Sequence, residues 1–486
     1  MKRLVISMLA LCAAVAMQAM PVMPKIFSDN MVLQRHRQVA FWGTAKKNTK
    51  VTVSTSWSKE TFSVKSDDEG KWSLKVQTPA AGGPYTVTVS DGEKLTFENV
   101  LIGEVWLCSG QSNMEMPMKG FSCQPVEGAA DYILAAKPER PIRMFNVKRV
   151  TSYEKKDDVE GGTWLVHDPN SVAICSATAY YFADLVQSVT GVPVGLVISN
   201  WGGTCIQTWL DEETIRANTD ADLSYLTTKD LKEKDPKRIQ NYPTMLFNSM
   251  INPLIPYTMK GIIWYQGEAN RLKPEEYKKL QAAYAQMMRN LWDDQNMPFY
   301  FTQIASYNYG NPQKLDAALF RDAQTATLET IPHSGMAVTI DVGDDGCIHP
   351  AKKKEVGQRL AYLALYNDYG AKAINPNSPV YSSFEVRGNE IAVIMKVDGM
   401  GLAPLGRNLA TNFVDGKEYV CFEVAGEDKV FHPADKAVIE RSNKVIVSCK
   451  DVPAPVAVRY CFHNCAVGNL YNCSGVPAAP FRTDNW

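Results

Sequence analysis

The chain has 486 residues, 45% hydrophobic and 21% charged, an ordinary globular balance with length for roughly two to four domains. Lys and Arg number 51 against 52 Asp and Glu, a formal net charge of −1. Nucleic-acid binders normally carry a basic surplus, so that class is excluded, as is a polyanionic tail. No internal apolar run reaches the about 18 residues that a bilayer span requires, and the chain reads as a soluble protein.

The chain opens with Lys2 and Arg3, an apolar segment from Leu4 to Met17, and small residues including Ala14, Ala16 and Ala19. This predicts a signal peptide over residues 1–19, cleaved near Ala16 or Ala19, and export to a periplasmic or extracellular space. Cys12 leaves with it. Of the remaining cysteines, Cys421, Cys449, Cys461, Cys465 and Cys473 fall late in the chain, where one or two disulfides are expected in an oxidising compartment. Cys461 and Cys465 flank His463, but no second ligand pair has zinc-site spacing, so no metal is expected.

Residues 20–100 read as β. Lys50–Thr55, Thr61–Lys65, Lys71–Val76 and Tyr85–Ser90 alternate, with turns at Asp67–Gly70, Gly82-Gly83-Pro84 and Asp91-Gly92. Short strands at this spacing predict a small sandwich. Over 101–375, apolar strand-like runs alternate with helical stripes such as Tyr277, Leu280, Tyr284, Met287, Met288 and Leu291, or Val356, Leu360, Leu363 and Tyr366. That alternation predicts an α/β domain with a mostly parallel sheet. Residues 376–486 return to β, with strands expected at Phe384–Val386, Glu390–Ile394, Tyr419–Val424 and Lys444–Val447.

Ligands of open α/β sheets bind beyond the carboxyl ends of the strands, and four such junctions stand out. Glu104–Cys108 runs into Ser109-Gly110-Gln111-Ser112-Asn113-Met114. Pro193–Ile198 runs into Ser199-Asn200-Trp201-Gly202-Gly203-Thr204. Gly261–Tyr265 runs into Gln266-Gly267-Glu268-Ala269-Asn270, and Met336–Ile340 into the loop from Asp341 to His349-Pro350. Together they offer a serine, a glycine pair, an amide side chain and a histidine. Ester cleavage needs a hydroxyl activated by a base near neutral pKa and preorganised donors for the oxyanion. Each residue also has a structural role open to it: a helix cap for Ser112 or Asn270, a turn for Gly202-Gly203, a helix start for His349. Ser112 lacks the G-x-S-x-G elbow of the α/β-hydrolases.

These blocks resemble the SGNH hydrolases, and within them most closely the sialate O-acetylesterase family. The likeness extends to Phe27–Gln34, Gly82–Tyr85, Gly103–Glu115, Asn200–Thr204, Trp264–Asn270 and Ile348–Pro350. The resemblance implies a flavodoxin-like three-layer domain with β-sandwich-type flanks, and an esterase removing O-acetyl groups from sugars without metal or organic cofactor. It implies Ser112 as nucleophile and His349 as base. The oxyanion hole would comprise the N–H groups of Ser112 and Gly202 or Gly203 with the Asn270 side chain, Gln266 being the second choice. Gln111 and Arg321 would contact substrate, Arg321 through a sialate carboxylate or else as a structural salt bridge. Many SGNH enzymes place an aspartate three residues before the histidine, where this chain has Gly346. Asp345, or Asp344, is then the expected orienting acid, unless a Ser–His dyad suffices. Acetylated xylan or pectin is the alternative substrate. A non-catalytic carbohydrate-binding protein is the rival of another class.

Overall fold

The computed structural model describes residues 20–231, 236–404 and 421–486. The expected signal peptide, and Tyr419 and Val420 of one expected strand, lie outside the described residues. The N-terminal strands are β1 (Val32–Gln34), β2 (Gln38–Thr44), β3 (Lys50–Thr55), β4 (Thr61–Lys65), β5 (Lys71–Gln77) and β6 (Gly82–Ser90). Next comes β7 (Lys94–Gly110), 17 residues long. β2 and β5 form one antiparallel pair, and β4-β3-β6-β7-β1 form the facing sheet. Val39, Phe41, Val51, Val53, Val76, Val87 and Val89 are buried, as the period-2 alternation demands of strands with one face inward.

β7 does not stop at the boundary expected near residue 100. Its first half pairs with β6, and its second half becomes a central strand of the next sheet. That sheet adds β8 (Ile142–Asn146), β9 (Trp164–Leu165), β10 (Val194–Asn200), β11 (Gly261–Tyr265), β12 (Phe299–Thr302) and β13 (Ser334–Ala337). The order is β13-β12-β11-β7-β10-β8-β9, parallel throughout except for the β8–β9 pair. With β8 and β9 set aside, the order is the 2-1-3-4-5 arrangement of one common doubly wound sheet.

The sheet is buried on both faces, so its strands read as unbroken apolar runs. Leu107, Ile262 and Trp264 enter one core, against Tyr277, Leu280 and Tyr284 of a helix over Pro274–Leu291. Trp106, Ile263 and Tyr265 enter the other. There they meet Phe182 and Val186 of a helix over Ala177–Thr190, and Val356, Leu360 and Leu363 of a helix over Lys353–Asp368. Both helical stripes expected from periodicity therefore face the sheet.

The C-terminal region forms two four-stranded antiparallel sheets. One joins Val380–Arg387, Glu390–Lys396, Lys444–Ser448 and Lys436–Glu440; the other joins Phe431–Pro433, Phe422–Ala425, Ala457–Tyr460 and Phe481–Arg482. The expected late disulfides are not formed. All five late cysteines are free thiols, Cys449 and Cys461 buried and Cys421 and Cys473 exposed.

β7 and β11 converge at Gly110, where φ is +142° and a Cβ atom would lie 2.1 Å from Tyr265 O. Only glycine tolerates both conditions. Gly110→Ala is expected to cost about 3 kcal/mol or more, read as a lowered denaturant midpoint with unchanged slope.

Candidate active site

Immediately after Gly110, Gln111 is extended and Ser112 opens α1, a four-residue helix over Ser112–Glu115. The first N–H groups of a helix have no intrahelical acceptor, so the Ser112 amide is placed to donate elsewhere. The residues flanking Ser112 are buried and anchored by their amides. Gln111 Oε1 accepts from Gly267 N at 3.1 Å, Ala269 N at 3.3 Å and Gln266 Nε2 at 3.2 Å. Asn113 Nδ2 donates to Glu268 Oε1 at 2.7 Å and to Ile348 O at 3.1 Å, while its Oδ1 accepts from Lys353 Nζ at 2.8 Å. Ser112 between them is half-buried and lines a cavity of about 790 Å³ with Gly202, Gly203, Glu268, Arg271, Tyr309 and His349. Gln111 also lines this cavity, but its carbonyl is spent on the 266–269 turn.

His349 shares the cavity with Ser112, as the sequence reading requires. Its orienting partner is a different residue from the one expected. Nδ1 lies 2.8 Å from Gln124 Oε1, an acceptor, so Nδ1 carries the proton and the Nε2 lone pair is left to act as base. Phe121 packs edge-on against the imidazole at 5.3 Å. The reciprocal bonds of Phe121 and Gln124, N to O at 3.0 Å in both directions, fix this loop. Asp345 is corrected accordingly. It is exposed, and Asn308 Nδ2 holds its carbonyl. Asp344 turns back on its own loop to accept from Gly346 N and Cys347 N. Burial, and secondarily the charge of Lys353, depress the His349 pKa to about 4. A neutral amide partner does nothing to offset that depression, whereas a carboxylate would.

The expected oxyanion donors are unequally placed. Gly202 N already donates to Glu115 Oε2 at 2.5 Å, and Glu115 is ion-paired with Arg149. A Cβ on Gly202 would stand 3.2 Å from Ser112 Cβ, so this turn lies directly against Ser112. Gly203 is exposed in the cavity. Asn270 is turned inward: Nδ2 donates to Gln207 Oε1 at 2.9 Å, and Oδ1 accepts from Ile206 N and Gln266 Nε2. Gln266 is wholly buried and donates to Thr204 O, Gln111 Oε1 and Asn270 Oδ1. Both amides brace the turns around the cavity and do not line it.

Arg321 is likewise corrected. It is fully buried on a helix over Asp316–Ala326, bonded to the carbonyls of His463 and Asn464, with burial lowering its pKa to about 10. It pins the C-terminal region to the α/β domain, inaccessible to a ligand, and pairs with no carboxylate among the described residues. The cavity has other cations. Arg271 lines it and stacks its guanidinium on Tyr309 at 4.3 Å, and Arg238 lines it as well. Gln124 and Arg271 lie in loops without periodicity. The adjacency of Arg271 to the Gln266–Asn270 block was the one available signal.

A family model described as carbohydrate esterase, sialic acid-specific acetylesterase matches residues 102–366. The sialate O-acetylesterase of Mus musculus is 26% identical over 94% of this chain and 93% of its own length. The Homo sapiens sialate O-acetylesterase is 27% identical over 74% and 73%. The crystal structure of a carbohydrate acetylesterase from Xanthomonas citri superposes with a TM-score of 0.85 at 33% identity, over 96% of this chain and all of that one. The protein is a carboxylic ester hydrolase, and the rival reading as a non-catalytic binding protein falls. More particularly, the chain belongs to the sialic acid-specific acetylesterase family of carbohydrate esterases.

The Gln124–His349 pair makes a signed prediction. Imidazole must be neutral to act as base, so kcat/KM should rise with pH through about 4. In Gln124→Glu the added negative charge stabilises imidazolium, and the acid limb should move up toward about pH 6. An unmoved limb would show that Gln124 does not contact the working imidazole.

Proposed function

We propose that the protein is a secreted serine esterase that removes O-acetyl groups from sialic acids through an acetyl-serine intermediate, on an SGNH-type domain. The observation that carries this reading is the common cavity of Ser112 and His349, with the imidazole tautomer set by Gln124. Ser112 Oγ attacks the acetyl carbonyl carbon as His349 Nε2 takes its proton. The developing oxyanion is met by the N–H groups of Ser112 and Gly203, each such donor being worth about 3 kcal/mol. Gly202 joins them only when Glu115 releases its N–H. The tetrahedral species collapses, and the sugar oxygen leaves with the proton from His349. Water attacks the acetyl-serine with His349 again as base, and acetate departs.

Substrate choice is supported by charge. Arg271, held flat on Tyr309, presents a planar guanidinium suited to the carboxylate that sialic acid carries and neutral xylan lacks. It takes the role first expected of Arg321. Export is part of the proposal, and the N-terminus of the exported protein should begin just after Ala16 or Ala19.

The decisive measurement is acetate release from O-acetylated sialic acid, with acetylated xylan in parallel. Wild type should prefer the sialate, and Ser112→Ala should lose at least about 10³-fold. Arg271→Ala should raise KM for the sialate and leave a neutral acetyl ester unaffected. Preference for xylan would overturn the substrate, and an active Ser112→Ala the nucleophile.

A further inference from the structure

The chain buries a lysine and a glutamate beside the nucleophile that the acyl-transfer steps do not use. Lys353 is wholly inaccessible and Glu268 nearly so. Burying a potentially charged side chain is costly unless it finds partners; Lys353 is bonded twice, whereas Glu268 is bonded through Oε1 and its Oε2 has no hydrogen-bond partner among the described residues. Lys353 Nζ donates to Asn113 Oδ1 at 2.8 Å and to Pro350 O at 2.7 Å. Asn113 Nδ2 donates to Glu268 Oε1 at 2.7 Å and to Ile348 O at 3.1 Å. Asn113 directly follows Ser112, while Ile348 and Pro350 directly flank His349. Two of the four bonds therefore reach the backbone on either side of His349, one directly from Asn113 and one through Lys353, and a third ties Asn113 to the 268–270 turn.

We propose that Lys353 and Glu268, acting through Asn113, are positioning residues that hold His349 in register with Ser112. Ser112 is carried by β7 and α1, whereas His349 sits on an irregular loop after β13. Neither strand pairing nor helix geometry fixes one relative to the other. The side-chain bridge supplies that missing constraint, with a titratable group at each end and an amide between to pass hydrogen bonds both ways. The ends also interact electrostatically. Glu268 partly offsets the effect of burial on Lys353, whose pKa nonetheless falls to about 7. Burial pushes Glu268 up.

The imidazole faces several charged or titratable groups. Lys353 comes from the helix behind it, and the Cys347 thiol from its own loop, donating to His349 O. Glu268 comes from the 268–270 turn, Glu115 with Arg149 from across the cavity, and Arg238 and Arg271 from the cavity wall. Of these, Lys353 depresses the His349 pKa, second only to burial. Removing its charge therefore raises the pKa of the base.

The inference rests on Ser112 and His349 being the reacting pair, and the test separates the two. Full-length wild type, Lys353→Met, Glu268→Gln and Ser112→Ala are compared for 4-nitrophenyl acetate hydrolysis across pH. Thermal unfolding of each variant is followed alongside. Lys353→Met should lose about 10²-fold in kcat with little change in KM, as expected for misplacement of a reacting group. Its acid limb should also move to higher pH as the Lys353 charge beside the imidazole is lost, while the fall in kcat at constant KM is the readout that a purely structural lysine would not give. A folded Lys353→Met with wild-type kcat, or with an unmoved acid limb, overturns the proposal. Should Lys353→Met fail to fold, Glu268→Gln decides. It keeps the acceptor and removes the charge, so kcat falls about tenfold at constant KM if the bridge positions His349, and a wild-type kcat overturns it. An active Ser112→Ala would refute the nucleophile itself, and this proposal with it. An inactive one beside a wild-type-like Lys353→Met refutes only the bridge.

Discussion

Ser112 is held by its neighbours. Gln111 and Asn113 are each anchored to the protein beside Ser112, one through its carbonyl on the Gly267–Ala269 backbone and the other linking Glu268 to Lys353 and Ile348. A four-residue helix has too few internal hydrogen bonds to fix its own orientation. These two amides supply what the helix lacks. They are strong anchors because they are buried, where an amide left unpaired costs about 1–3 kcal/mol. The Gln-Ser-Asn tripeptide thus sets Ser112 at the cavity between two anchored amides.

The charges around the cavity divide by exposure. Arg321 and Lys353 are fully buried and each is bonded to backbone carbonyls, Lys353 to Asn113 as well. Their role is to tie segments together. Arg271 and Glu115 are partly exposed and line the cavity, where a ligand can meet them. His349 belongs to neither group. Its partner is the uncharged Gln124, so an imidazolium formed there would face an amide dipole where many hydrolases place an anion. Such a base is kept neutral over a wide pH range, and it is correspondingly weak.

Much of this was legible in the chain. The runs ending at Cys108, Ile198 and Tyr265 proved to lie on adjacent parallel strands, because residues buried on both faces leave continuous apolar signatures. The stripes from Tyr277 and Val356 marked the helices that cover them. What could not be read was lateral polar pairing. Gln124 and His349 are 225 residues apart, and an amide in a tight turn leaves no periodic trace. Arg321 was misread for a related reason. Its partners are carbonyl oxygens, and every residue has one, so no pattern announces which will be chosen. Asn270 stands in the right block, yet its direction depends on Gln207, on a turn 63 residues earlier.

The 17-residue strand that ends at Gly110 carries a consequence for synthesis. Its first half completes the N-terminal sheet with chain already made, whereas its second half awaits β10 and β11, the latter more than 150 residues downstream. Emerging from the ribosome, the N-terminal sheet can close first and hold the root of that strand in its final register and twist. The later strands then add to an edge already straightened. The N-terminal region so becomes the scaffold on which the parallel sheet is assembled, and no cut near residue 100 separates the two without severing that strand.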